Sequence, residues 1–207
     1  MRVPPVDRWT PASIRTADIE GRLAGTLQPA ALAHVYRTAE LARTLAERHG
    51  VNPDLAELAA LLHKVAEQHS DADLLRLAEY YEVPVNPTEA RVPRLLHGKL
   101  AAEILHAEWG ITDQELLNAV RNYVGAAPRM AALDKVLFLA DKLEPERDRF
   151  YGDLDPVRAL ALIDLDAAIQ QLSAWTTTNL PNVTSHPDRL ANASSRLIDF
   201  TLATWPS

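Results

Sequence analysis

Three apolar runs in this chain each close on a polar residue: Leu61-Leu62-His63, Leu95-Leu96-His97, and Val136-Leu137-Phe138-Leu139-Ala140-Asp141. A polar group set into such company is buried with it, and a buried polar group needs a partner. On a helix, His34 shares a stripe with Thr38, Leu41 and Leu45, and His63 shares one with Leu55, Ala59 and Ala66. Asp141 follows Leu137 and Phe138 by one turn. The fold is therefore expected to turn four polar groups toward a helix-packed interior. Imidazoles and a carboxylate converging from separate helices are what a bundle uses to bind a divalent transition metal. Taken singly, each residue is better read as an ordinary hydrogen-bonded core group.

The punctuation of the chain predicts helices throughout. Pro29 opens a helix that stops at Gly50, and Asn52-Pro53-Asp54 starts the helix carrying His63. Ser70-Asp71 begins a third, reaching about Tyr81, and the stretch 82–86 reads as a loop before Thr88. Pro93 breaks the chain ahead of His97, which leaves that histidine near the start of a helix reaching Trp109 and Gly110. Thr112-Asp113 starts the next, and Met130 to Leu143 presents Asp141. After Pro145 the pattern is looser until Asp164, and helices from about Leu165 to Asn179 and Pro187 to Thr204 close the fold. No period-two alternation of useful length occurs, so the fold class is all-α, without strands. The division expected is an N-terminal extension over 1–27 and a helical domain over 28–204. Trp9, Trp109, Trp175 and Trp205 are expected to cover the core, or an interface in a homodimer.

With 207 residues, 47% of them hydrophobic, the chain has enough apolar content for a single real core. The formal net charge of -7 argues against a surface built for nucleic-acid backbones, while leaving room for a local cationic pocket that takes a small polyphosphate. The absence of cysteine removes thiolate ligands, disulfides and a cysteine nucleophile, and fits a reducing cytoplasm. No signal-peptide h-region opens the chain, and no apolar run is long enough to span a bilayer.

Read in order, the segments around His34, Leu61-Leu62-His63, Leu95-Leu96-His97-Gly98 and Ala140-Asp141-Lys142-Leu143-Glu144-Pro145 resemble the HD superfamily, and more narrowly its YqeK-like branch. The resemblance extends from about Gln28 to about Phe200 and includes His186-Pro187-Asp188. It implies an all-α HD-domain-like bundle with a metal centre, usually iron, that splits diadenosine tetraphosphate symmetrically into two ADP. Carried over by position, it makes His34, His63 and Asp141 ligands of one metal and His97 a ligand of a second.

Two ligands implied by the resemblance are missing. The aspartate that would follow His63 and bridge both metals is Lys64, and the next histidine falls where Asn122 and Tyr123 stand. The family's lysine one turn after the His-Asp pair is Glu67, so the two charges are exchanged at i, i+3. Replacing a bridging carboxylate with an ammonium changes the local charge by about two units, the charge of one divalent ion. Lys64 either stands in for a lost metal or extends to solvent and pairs with Glu67. Lys64, Arg94, Lys99 and Arg121 are candidate contacts to substrate phosphates, although surface charge is the commoner role for the last three. Glu67 and His69 are candidate substitute ligands.

Three expectations of different kind follow. The favoured one is a degenerate family member, a pseudoenzyme that binds an adenine nucleotide or dinucleoside polyphosphate, or a protein, with hydrolysis lost or much weakened. The alternative is an active phosphohydrolase working with one metal or an altered ligand set. The third is an interaction protein whose old pocket is filled and which holds no metal.

Overall fold

The protein is described by a computed structural model over residues 16–125, 129–148 and 152–183. Ten helices are described there: α1 (Thr16–Thr26), α2 (Pro29–His49), α3 (Pro53–Leu62), α4 (Asp71–Tyr80), α5 (Pro87–Arg91), α6 (His97–Ala107), α7 (Gln114–Asn122), α8 (Ala132–Leu143), α9 (Asp155–Ala161) and α10 (Leu165–Val183). No strand occurs among the described residues. The expected helix Pro187 to Thr204, the His186-Pro187-Asp188 segment, Trp9 and Trp205 lie outside the described residues.

The helix ends follow local chemistry. Pro29 sits in the first turn of α2, where a missing amide costs nothing, and Gly50 closes that helix in the left-handed region at φ 68°. The Asn52 side chain accepts from the Asp54 and Leu55 amides at the start of α3, and Ser70 with Asp73 forms a reciprocal capping box for α4. Asp113 caps α7 by accepting from the Leu116 amide.

Several boundaries depart from the sequence reading. The segment past the 82–86 loop forms the short helix α5, held by a capping box between Asn86 and Glu89. The stretch after Pro145 contains a 3-10 turn (Pro145–Arg147) and then α9. The N-terminal segment contains α1, whose Ile19 and Leu23 are buried in the common core. Helix α3 stops at Leu62, with His63 as its C-cap. The chain continues in tight i→i+3 turns, Val65 N–H donating to the Leu62 carbonyl at 3.2 Å and Glu67 N–H to the Lys64 carbonyl at 2.9 Å.

Helix α2 packs on α3 and α8, α3 also meets α7 and α8, and α7 lies between α6 and α8. The floor of this bundle is apolar, with Leu62, Leu96, Leu133, Val136, Leu137 and Phe138 all fully buried. Helices α6 and α7 touch at Gly98, where an added Cβ would lie 2.7 Å from the Arg121 carbonyl oxygen and 3.0 Å from that of Val120. Trp109 and Trp175 are half-buried against the core, and the Arg22 guanidinium stacks 3.7 Å over the Trp109 ring.

Candidate metal centre

Where α2, α3 and α8 meet, ligand atoms of His34, His63 and Asp141 lie within 4.8 Å of one another, all three residues being buried. Packing of the apolar stripes on these helices is what turns the three polar groups inward. His63 sits at the negative end of α3, a place that favours positive charge.

The hydrogen-bond chemistry of the two imidazoles fits a cation. His63 Nδ1 can only donate to its partner, the Ala60 carbonyl, so its lone pair is on Nε2. That nitrogen has no hydrogen-bond partner and faces Asp141 Oδ1 at 3.5 Å, one acceptor set against another. Burial pushes the His63 imidazolium down to about 4, so the ring is neutral at pH 7.

His34 repeats the pattern. Its Nδ1 lies 3.1 Å from Oε1 of Glu144, a carboxylate that accepts and thereby assigns the ring proton to Nδ1. The bare Nε2 then points at Asp141 Oδ1, 2.9 Å away. Two acceptors that close require a shared positive charge, which Arg147 Nη2, 3.1 Å from the one and 2.9 Å from the other, supplies. A donated second ring nitrogen is also the usual support behind a metal-binding histidine.

Asp141 is heavily counter-charged. Arg147 Nη2 donates to its Oδ1 at 2.9 Å and lies 3.1 Å from His34 Nε2, while Lys142 Nζ bonds the other carboxylate oxygen. Burial alone would raise the Asp141 carboxyl, but Lys142 and Arg147 outweigh it and hold the group well below its ordinary value. Glu144 behaves alike: burial raises it, and bonds from His34 and Arg37 bring it to about 2. Arg37 Nε donates to Glu144 Oε2 at 2.5 Å. None of Arg37, Lys142, Glu144 and Arg147 is a site residue in the sequence reading, although the last three follow Asp141 within six positions.

Beside this cluster lies a second polar group. His97, at the start of α6, is 9% exposed, its Nε2 is buried without a partner, and its Nδ1 is 3.7 Å from Glu67 Oε2. Burial holds its imidazolium down at about 4. Lys64 Nζ donates to the same Glu67 oxygen at 3.2 Å, with only 11% of the lysine side chain exposed. Burial raises the Glu67 carboxyl, yet Lys64 and His97 bring it to about 2. Lys64 thus pairs with Glu67, as one expectation had it, but lies mostly inside rather than extending to solvent. Tyr123 faces His63 edge-on, ring centroids 4.8 Å apart, and is buried. Asn122, the other candidate for the missing histidine, donates instead to Asp134 Oδ2 at 2.8 Å.

The other candidates lie elsewhere. His69 is exposed, past the turns that follow α3. Arg94 is exposed, 3.6 Å from Asp71. Lys99 and Arg121 line a separate cavity of about 300 Å³ with Tyr81, Pro84 and Glu103, where they pair with Glu89 at 2.9 Å and Glu103 at 3.0 Å.

The HD domain family matches residues 31–146, and the chain belongs to that family. Among similar proteins, the symmetrical bis(5'-nucleosyl)-tetraphosphatase of Bacillus subtilis strain 168 is 31% identical over 138 residues, which is 67% of this chain and 73% of the relative. The protein of the same description from Halalkalibacterium halodurans is 32% identical over 168 residues, 80% of this chain and 88% of the relative. A crystal structure of a Clostridium acetobutylicum protein, described as an HD superfamily hydrolase involved in NAD metabolism, superposes with a TM-score of 0.76. It covers 94% of this chain and 100% of that one at 22% identity, a likeness of fold. The all-α HD bundle expected from the sequence is the fold observed. No described helix is long and apolar enough to cross a membrane.

Proposed function

We propose that this chain binds one divalent metal ion at His34, His63 and Asp141 and takes a dinucleoside polyphosphate, with hydrolysis lost or much weakened. The observation that carries this is the pairing of an intact two-histidine, one-carboxylate set with Lys64 directly after His63. The relatives described as symmetrical bis(5'-nucleosyl)-tetraphosphatases supply the substrate class. Two histidines and a carboxylate form the set that holds iron with open positions, and iron is the ion assigned.

When bound, such an ion supplies Lewis acidity at a phosphoryl oxygen and a water of lowered pKa. The chain's own groups prepare that place. Glu144 holds the His34 proton on Nδ1, and the Ala60 carbonyl holds the His63 proton on Nδ1, so the His63 Nε2 lone pair is presented and that of His34 Nε2 is shared with Arg147 Nη2. Lys142 and Arg147 keep Asp141 ionised. The Lys64 ammonium adds positive charge for phosphate oxygens and repels a second ion, which favours binding over cleavage.

An active one-metal phosphohydrolase is the second reading, favoured by the intact three-residue set. The test is elemental analysis of protein purified without chelator, together with ADP release from diadenosine tetraphosphate with added iron or manganese. One ion per chain, ligand-induced thermal stabilisation and little ADP support the proposal. Rapid ADP release that His63→Ala abolishes supports the second reading. Neither metal nor stabilisation overturns both, leaving an interaction protein with a filled pocket.

A further inference from the structure

Lys64, Glu67, His97 and Tyr123 gather beside the three-residue cluster, and the charges among them disfavour a second cation. A second cation there would need ligand atoms free of other charge. Glu67 Oε2, the carboxylate nearest His97, is already held by Lys64 Nζ at 3.2 Å. The opposite wall is the Tyr123 ring, packed against His63, with Lys64 Nζ 5.8 Å and Lys142 Nζ 5.7 Å from its centroid. Two ammonium groups near this ring place positive charge beside the His97–Glu67 pair, which disfavours a second divalent ion. One of the three Lys64 N–H donors is spent on Glu67, which leaves the others for an incoming acceptor. The i→i+3 turn from Lys64 to Glu67 brings that pair together, with little of the lysine side chain exposed.

We propose that the Lys64 ammonium, walled by Tyr123 and anchored by Glu67, takes the place of a second metal ion: the site admits one divalent ion, and Lys64 meets a phosphate oxygen of the polyphosphate. This rests on the metal reading of His34, His63 and Asp141. It deepens that reading by giving Lys64 a direct bond to a phosphate oxygen, with Glu67 as its anchor and Tyr123 as its wall.

The experiment is a manganese titration of the whole protein read by elemental analysis after gel filtration, followed by calorimetric binding of inorganic tripolyphosphate to the loaded protein. Wild type, Lys64→Gln and Lys64→Arg are compared, with thermal melts to show that each is folded. Expected are about one manganese per chain in wild type and a loss of at least about tenfold in tripolyphosphate affinity for Lys64→Gln, as for a removed charge-assisted bond. Lys64→Arg, which keeps the charge, should stay within about threefold of wild type. Unchanged tripolyphosphate affinity in Lys64→Gln overturns the inference and leaves the metal reading standing, whereas two ions per wild-type chain overturns the inference together with the one-ion count and leaves His34, His63 and Asp141 as one of two sites. No manganese at all overturns the metal reading itself, a result visible before any phosphate is added.

Discussion

Gly98→Ala sets two effects of opposite sign against each other. Alanine favours a helix over glycine by at most about 1 kcal/mol, which alone would stabilise α6. The new methyl would lie 2.7 Å from the Arg121 carbonyl oxygen and 3.2 Å from Val124 Cγ2, both on the neighbouring segment. Ordinary carbon–oxygen contact is about 3.4 Å, so the helices must part by roughly 0.7 Å, and the nearest atom is backbone that cannot swing aside. Overpacking of this kind costs about 3 kcal/mol at the upper end of its range. The net loss is then about 2 kcal/mol, or a fall in melting temperature of about 4–8 °C for a chain of this size. Thermal unfolding followed by circular dichroism reads it directly. A melting temperature equal to or above wild type would refute the close α6–α7 approach, because propensity would then have won.

Glu144→Gln keeps the shape of the His34 partner but removes its charge, and manganese affinity should fall by about 10–100-fold with the far-ultraviolet spectrum unchanged. Undiminished affinity in a metal titration would show that another group sets the His34 ring. Phe138→Ala empties a fully buried position in α8 and should cost about 3–5 kcal/mol in urea unfolding. The Asp148 carboxyl is held below its ordinary value chiefly by the Arg158 hydrogen bond, against a smaller opposing push from burial. Its contribution is complete above the unfolded value of about 3.9 and is lost as pH falls through the lower folded value. Asp148→Asn should therefore flatten the acid side of the stability profile and leave its slope above neutral pH alone; an unchanged acid limb would count against the ion pair.

The elements legible in the sequence are those with a cap at one end and an apolar stripe along the side, such as α2 with Pro29 and Gly50. Helix α5, at five residues, is too short for a period to register, and only its Asn86–Glu89 box marks it. His34, His63 and Asp141 were legible because each is embedded in an apolar pattern that must face inward. Glu144 and Arg147 were not, because a charged residue just after a helix is read as solvated unless another element covers it, and here α2 does. Lys99, a candidate phosphate contact, lies away from the cluster. It stands two residues after His97 on a helix, about 200° around the axis, so it had to face away from that histidine. The position of Tyr123 against His63 depends on where α7 ends, and local sequence places such ends only loosely.

Asp141 is buried with a guanidinium and an ammonium from its own chain already beside it. A lone buried carboxylate would tie folding to ion uptake, since the fold would have to wait for its countercharge. Here the countercharge belongs to the chain itself, so Asp141 has its partners with or without an ion. Scaffold and chemistry are thereby uncoupled.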